Sequence, residues 1–243
     1  MTTDSRSFVV GCLALGLTEL HEQGVLYRGL SEPAATLDAR GYVQLANFRY
    51  ARRLPQDGEA FTLCGAPDYM APEVVRGSGH GVASDWWSLG VAVHVMMTGA
   101  SPWHLRLAAQ QNEMLTYQRI TSHAADAIRL RGVRSAIEQS QNLINELLTP
   151  DPAERLGARG GSAAGLAELQ AHPFFEGLDW HALADGKLAS PIAPISETRV
   201  QQLVPAKGSG LLGQSNPEEG IETEACPEEV LLEEGESDRF QDI

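Results

Sequence analysis

Apolar side chains first recur at helical spacing over residues 7–24, where Phe8, Val9, Cys12, Leu13, Leu17 and Leu20 fall near one face and Gly24 is placed to end the helix. Val25, Leu26 and Tyr27 follow as a short strand-like run. From Leu37 to Leu45 two apolar pieces flank a turn containing Gly41, the pattern of a β-hairpin. Residues 46–83 show weak periodicity and many turn formers and read as one long ordered loop. The strongest signal comes next. From about Ser84 to Thr98 the residues Trp86, Trp87, Leu89, Val91, Val93, Val95, Met96 and Met97 leave no clean polar face. A helix apolar nearly all round belongs inside a domain, with other helices packed about it. Ser84 reads as its N-cap, Asp85 suits its positive end, and Gly99 sits where a left-handed C-cap is expected.

Beyond that helix the spacing predicts two more, near 107–120 and over 138–149, the second with Ile144, Leu147 and Leu148 as its apolar face. Gly157 to Gly165 reads as a small-residue loop, Leu166 to Ala171 as a short helix ended by His172-Pro173, and Phe174 and Phe175 as core anchors. From about Ser196 apolar density falls, and residues 196–243 lack the hydrophobic surface to fold alone. The chain thus divides into a body, residues 1–195, mainly α with a small β-hairpin, and a tail, 196–243, expected to be acidic and disordered.

Charge sharpens that division. Of a net charge of -14, the stretch from Pro217 onward holds -10, with eleven Asp and Glu against one Arg. Acidity is therefore a property of the tail, and it excludes nucleic-acid binding by bulk attraction. The three cysteines, Cys12, Cys64 and Cys226, show no paired or metal-binding spacing and fit a reducing compartment. The histidines, among them His21, His94 and His172, lack i, i+4 pairing and read as packing or surface groups. The apolar run Phe8 to Leu17 follows Asp4, lacks a small-x-small cleavage site and is too short to span a bilayer. A soluble cytoplasmic chain with no membrane partner is expected.

Two motifs carry a more specific reading. Ala71-Pro72-Glu73, followed some dozen residues later by Asp85-Trp86-Trp87-Ser88-Leu89-Gly90, resembles the activation segment and central helix of the eukaryotic Ser/Thr protein kinases. Tyr27-Arg28-Gly29-Leu30-Ser31-Glu32-Pro33-Ala34 resembles the kinase catalytic loop. Thr62-Leu63-Cys64-Gly65 and His172-Pro173-Phe174-Phe175 through Asp179-Trp180 to Pro191-Ile192-Ala193-Pro194 are similar to the cyclic-GMP- and cyclic-AMP-dependent branch of the AGC group. The resemblance covers roughly residues 7–195 and implies a kinase-like large (C-terminal) lobe. Only 26 residues precede Tyr27, with no Gly-rich loop and no strand lysine among them, so a lobe without the ATP-binding small lobe is expected.

Within the resemblance the chemistry departs from the family pattern. Gly29 stands at the position of the catalytic Asp, Ser31 at that of the Lys supporting the transferred phosphoryl group, and Ala34 at that of the magnesium-holding Asn. Ala46-Asn47-Phe48-Arg49 occupies the metal-binding site, where Asn47 replaces a carboxylate and a neutral amide is a poor ligand for a hard cation. Ala66 replaces the Thr that normally bonds the catalytic Asp. The resemblance implies ATP and magnesium as cofactors; these departures lead us to expect that neither is used. What remains is scaffold. Glu73 is expected to pair with Arg155, and Asp85 to hold the backbone of the degenerate loop. Thr62 matches an activation-loop phosphorylation site with Arg28 as its phosphate partner, although it reads first as an exposed loop threonine. Asn47 and Cys64 read first as a hydrogen-bonding loop residue and a half-buried packing residue.

The branch prefers basic substrates through carboxylates; two such positions here are Pro33 and Val95, while Asp68 remains. Three functions are open at this point. One is an inactive pseudokinase that binds a protein partner (a kinase, a kinase substrate or a regulatory subunit) as scaffold or decoy. A second is an ATP-dependent Ser/Thr kinase whose small lobe comes from elsewhere. The third is a truncated product without function.

Overall fold

The computed structural model describes residues 3–31, 34–54, 58–104, 112–122, 128, 130 and 135–192. The acidic tail, Pro33, and residues 107–111 of one expected helix lie outside them. Seven helices are described: α1 (Thr3–Glu22), α2 (Pro72–Arg76), α3 (Ala83–Thr98), α4 (Glu113–Thr121), α5 (Ser135–Leu147), α6 (Ser162–Ala171) and α7 (Trp180–Ala184). Four short strands complete the body: β1 (Val25–Leu26), β2 (Ala35–Leu37), β3 (Val43–Leu45) and β4 (Arg52–Arg53). β2 and β3 form the expected hairpin, with Leu37 opposite Val43, and β1 pairs antiparallel with β4.

α3 is the axis of the core. Trp86, Trp87, Leu89, Val91 and Val93 are all buried, as its apolar circumference requires. Gly99 ends it in the left-handed conformation, φ 79°, returning its N–H to Val95 O at 2.7 Å. Its start differs from the sequence expectation. The helix begins at Ala83, and Ser84, already inside it, donates its hydroxyl to Gly81 O at 2.8 Å instead of capping. The chain enters through a tight turn, with Ser84 N–H on Gly81 O and Asp85 N–H on Val82 O, so no extended cap residue intervenes.

α5 crosses α3 where glycine replaces a side chain. A Cβ on Gly90 would lie 2.8 Å from Leu147 Cβ and 2.9 Å from Leu148 Cδ2. Gly90→Val is therefore expected to force these helices apart, costing about 1–3 kcal/mol by overpacking. Urea unfolding of the full chain reads this as a lower midpoint.

Two further expectations are corrected. The stretch 46–83 is not one loop: it holds β4, single turns at Phe48–Tyr50 and Pro67–Tyr69, and α2. Elements of two to five residues are too short to establish a period. The loop expected over 157–165 ends early, since α6 begins at Ser162; Gly165 packs its bare Cα against the Gly157 backbone. In the third predicted region α4 runs Glu113–Thr121, capped by Asn112 Oδ1, which accepts the Leu115 N–H at 2.8 Å.

Candidate functional site

The first turn of α3 delivers Asp85, fully buried, to the loop that follows β1. Its Oδ2 accepts the Tyr27 N–H at 2.9 Å and its Oδ1 the Arg28 N–H at 2.8 Å. His21 Nε2, from the last turn of α1, lies 2.8 Å from the same Oδ2. These contacts hold Arg28 at φ 56°, a left-handed conformation that a non-glycine residue adopts only under constraint. His21 had read as a packing group. Its place in the helical turn just before the braced loop was the signal available.

The two segments that resemble the kinase catalytic and metal-binding loops converge beside this brace. Ala46 N–H donates to Ala34 O at 2.8 Å, and the Tyr27 hydroxyl donates to Ala46 O. Burial, with the charge of Asp85 behind it, pushes that phenol up to about 12. A Cβ on Gly29 would meet Asn47 O at 3.4 Å. Asn47 is exposed, at φ 57°, and Phe48 after it is 51% exposed, its ring edge-on to Tyr27 at 5.5 Å. Ala34 is buried and Ser31 half-buried.

The donor set assembled here is one neutral amide, one hydroxyl and backbone carbonyls. Among the described residues the carboxylate at this loop is that of Asp85, which is taken up by the Tyr27 and Arg28 N–H groups, so the set does not fit magnesium and the polyphosphate it carries. Among the described residues no group of three or more His, Cys, Asp or Glu side chains is placed to hold a metal ion. Nor does the backbone demand glycine at position 29. Its φ is ordinary and the space beside it is van der Waals contact, so a side chain at this position meets no steric bar.

Across from this loop, Glu73 at the start of α2 meets Arg155 in a bidentate pair, Nη1 on Oε1 at 2.6 Å and Nη2 on Oε2 at 3.0 Å. Arg155 also donates to Ala83 O and Thr149 O and lies over the Trp87 ring at 5.1 Å. Asp68 accepts the Ser101 hydroxyl at 3.1 Å.

Thr62 is half-buried, against the exposed position expected of it. The segment it lies on is pinned at Ala60, which exchanges backbone hydrogen bonds with His80 at 2.9 Å in both directions. No hydrogen bond joins Thr62 to Arg28 among the described residues; Arg28 Nε instead donates to Tyr50 O at 2.8 Å, and its Nη1 is buried without a partner. Between Arg28, Cys64, His80 and Ser88 lies a cavity of about 20 Å³, the size of one water molecule. Neither ring nitrogen of the buried His80 has a partner, and burial, with the charge of Arg28 nearby, holds its pKa below the ordinary histidine value.

Comparison with known proteins gives this geometry a setting. Residues 1–175 match the family model described as "Protein kinase domain". The chain is 36% identical over 187 residues to the cGMP-dependent protein kinase, isozyme 2 forms cD5/T2, of Drosophila melanogaster, covering 77% of this chain and 19% of that protein. It is 38% identical over 187 residues to the mouse (Mus musculus) ribosomal protein S6 kinase alpha-4, covering 76% of this chain and 23% of that one. To isozyme 1 of the Drosophila melanogaster cGMP-dependent protein kinase it is 32% identical over 194 residues, covering 79% and 24%. The chain thus spans about a fifth to a quarter of the length of the curated relatives it matches.

Proposed function

The chain belongs to the protein kinase family, with similarity to its AGC group, and we propose that it is a degenerate Ser/Thr-type member, inert as a phosphotransferase, that serves as a protein-binding scaffold or decoy. One observation carries this reading: Gly29, Ala34 and Asn47 gather at one place in the fold and bring no carboxylate to it. Phosphoryl transfer is achieved almost wholly by positioning and charge stabilisation, through a base and metal ions. With both sets of ligands replaced, the scaffold around them is what remains to act. The buried Glu73–Arg155 pair and the Asp85 brace keep that scaffold in shape without any substrate. The partner is then another protein: a kinase, a kinase substrate or a regulatory subunit.

Thermal unfolding of the purified chain with and without saturating magnesium-ATP tests the inert half of this reading. A ligand at a hundred times its Kd adds about 2.7 kcal/mol, roughly 5–10 °C in Tm for a body of this size. No shift and no phosphate transfer to a Ser/Thr peptide are expected. A magnesium-dependent shift accompanied by transfer would overturn the proposal. The variant Gly29→Asp/Ala34→Asn/Asn47→Asp, which restores the ligands where the backbone leaves room, asks whether those side chains alone were limiting.

A further inference from the structure

The turn at Phe48–Tyr50, which runs into strand β4, and Gly65, which follows the segment Phe61–Cys64, both lie against Arg28. Arg28 Nε donates to Tyr50 O at 2.8 Å, and a Cβ on Gly65 would lie 2.8 Å from the Arg28 carbonyl oxygen. Three large apolar side chains stand out here: Phe48, Phe61 at 59% exposure and Leu63 at 50%. Arg49 and Arg53 beside them are exposed, Arg52 is half-buried, and Arg49 lies over the Tyr50 ring at 4.8 Å. The acid described at this border is Glu59, whose carboxylate reaches toward Gly79. A chain of net charge -14 thus presents an apolar surface rimmed by arginine.

We propose that this surface docks the chain's own acidic tail, through Glu228-Glu229-Val230-Leu231-Leu232-Glu233-Glu234. The inference concerns an interaction within the chain and stands whether or not the site is inert. In the stretch from Pro217 onward this is the one place where three consecutive apolar residues carry paired carboxylates on both sides. That pattern mirrors the surface, with apolar groups at the centre and opposite charge at the rim. Exposed ion pairs contribute little singly. Burial of the apolar triplet therefore supplies the attraction, and the charges select which segment binds and where.

Reach is sufficient. Thirty-five residues separate Ile192 from Glu228, about 120 Å when extended, against a radius of gyration of about 16 Å for a body of this size. Ile192 starts from a fixed point, its N–H on Ser190 Oγ at 3.1 Å and that hydroxyl on Gly41 O at 2.8 Å. Tethering makes the local concentration of the segment roughly millimolar, so a weak contact is enough. The docked tail would cover Phe61 and Leu63, and a partner that uses this face would have to displace it.

Cys226, two residues before the segment, takes the probe. A nitroxide is placed there in the 243-residue Cys64→Ser chain, Cys12 being buried, and paramagnetic broadening of backbone amide signals is read. Broadening strongest at residues 47–53 and 60–64, shared by their neighbours Val25 to Arg28 and Gly65, is expected. It should be lost in Arg49→Glu/Arg53→Glu, where the carboxylates of the segment meet like charge, and should persist at 1 M salt, which screens the charges to about 3 Å but leaves the apolar burial in place. Glu228→Lys/Glu229→Lys/Glu233→Lys/Glu234→Lys should restore it in the arginine-reversed chain. Absence of broadening, broadening strongest elsewhere on the body, or broadening indifferent to the arginine reversal overturns the proposal. Broadening seen only between labelled and unlabelled copies in a mixed sample overturns it in favour of a contact between molecules. The amide spectrum itself reports whether each variant is folded.

Discussion

Arg155→Ala is expected to lower the stability of the body by about 3–5 kcal/mol, because it leaves the Glu73 carboxylate buried and unpaired. In Tm that is roughly 6–20 °C for a domain of this size. Arg155 is fully buried and Glu73 only 5% exposed, so water cannot replace the lost partner. Arg155→Lys is not a repair. A single ammonium cannot make the two-pronged contact to Oε1 and Oε2 and still reach Ala83 O and Thr149 O. The double variant Glu73→Leu/Arg155→Met separates the terms. It removes the uncompensated charge and should recover part of the loss. The Ala83 and Thr149 carbonyls stay without their donor, each at about 1–3 kcal/mol, so recovery is incomplete. Circular-dichroism melts of the three variants read these terms. An Arg155→Ala chain that melts with the parent would show that the pair is a bystander to the fold.

The long-range pair was legible because a sequence motif marks each end, and residues 82 apart in the chain meet as the kinase resemblance implied. The body's helices were legible for a plainer reason: apolar spacing over a dozen or more residues, as in α1 and α5, or a continuous apolar run with a glycine stop, as in α3, survives local noise. What escaped has a common cause. β4, α2 and the turns within 46–83 are too short to carry a period, and backbone pairings such as Ala60 with His80 fix them. The start of α3 escaped because a serine in the first turn has two uses, and the tight entry at Gly81-Val82 selected the one that does not cap. The site divides the same way. Identity at a motif position said which residues, Gly29, Ala34 and Asn47, to look for at the site. It could not say that His21 would join Asp85, that Thr62 would be half-buried, or that Arg28 would bond Tyr50, since each depends on how separate elements meet.

Asp85→Asn should loosen the loop after β1 while leaving the shape of the side chain almost unchanged. The native carboxylate faces hydrogen-bond donors: the Tyr27 and Arg28 N–H groups and, on the side of His21, a ring nitrogen that donates in the tautomer matching this acceptor. An amide has one acceptor oxygen and one NH2, so whichever way it turns, an NH2 confronts an N–H. Asp85→Ala goes further and leaves every one of these buried donors without a partner, at about 1–3 kcal/mol each. Arg28 meets both losses in a conformation that needs outside support, φ 56°. Two readouts follow. Stability should fall by about 3–5 kcal/mol in Asp85→Ala and by less in Asp85→Asn. In Asp85→Asn, the Tyr27 and Arg28 amide hydrogens should exchange faster than those of Leu89 and Val91 in α3, because the brace opens locally before the core does. Equal exchange across both sets would mean that Asp85 supports the helix rather than the loop, and that the left-handed turn at Arg28 is held by Tyr50 and Gly65 instead.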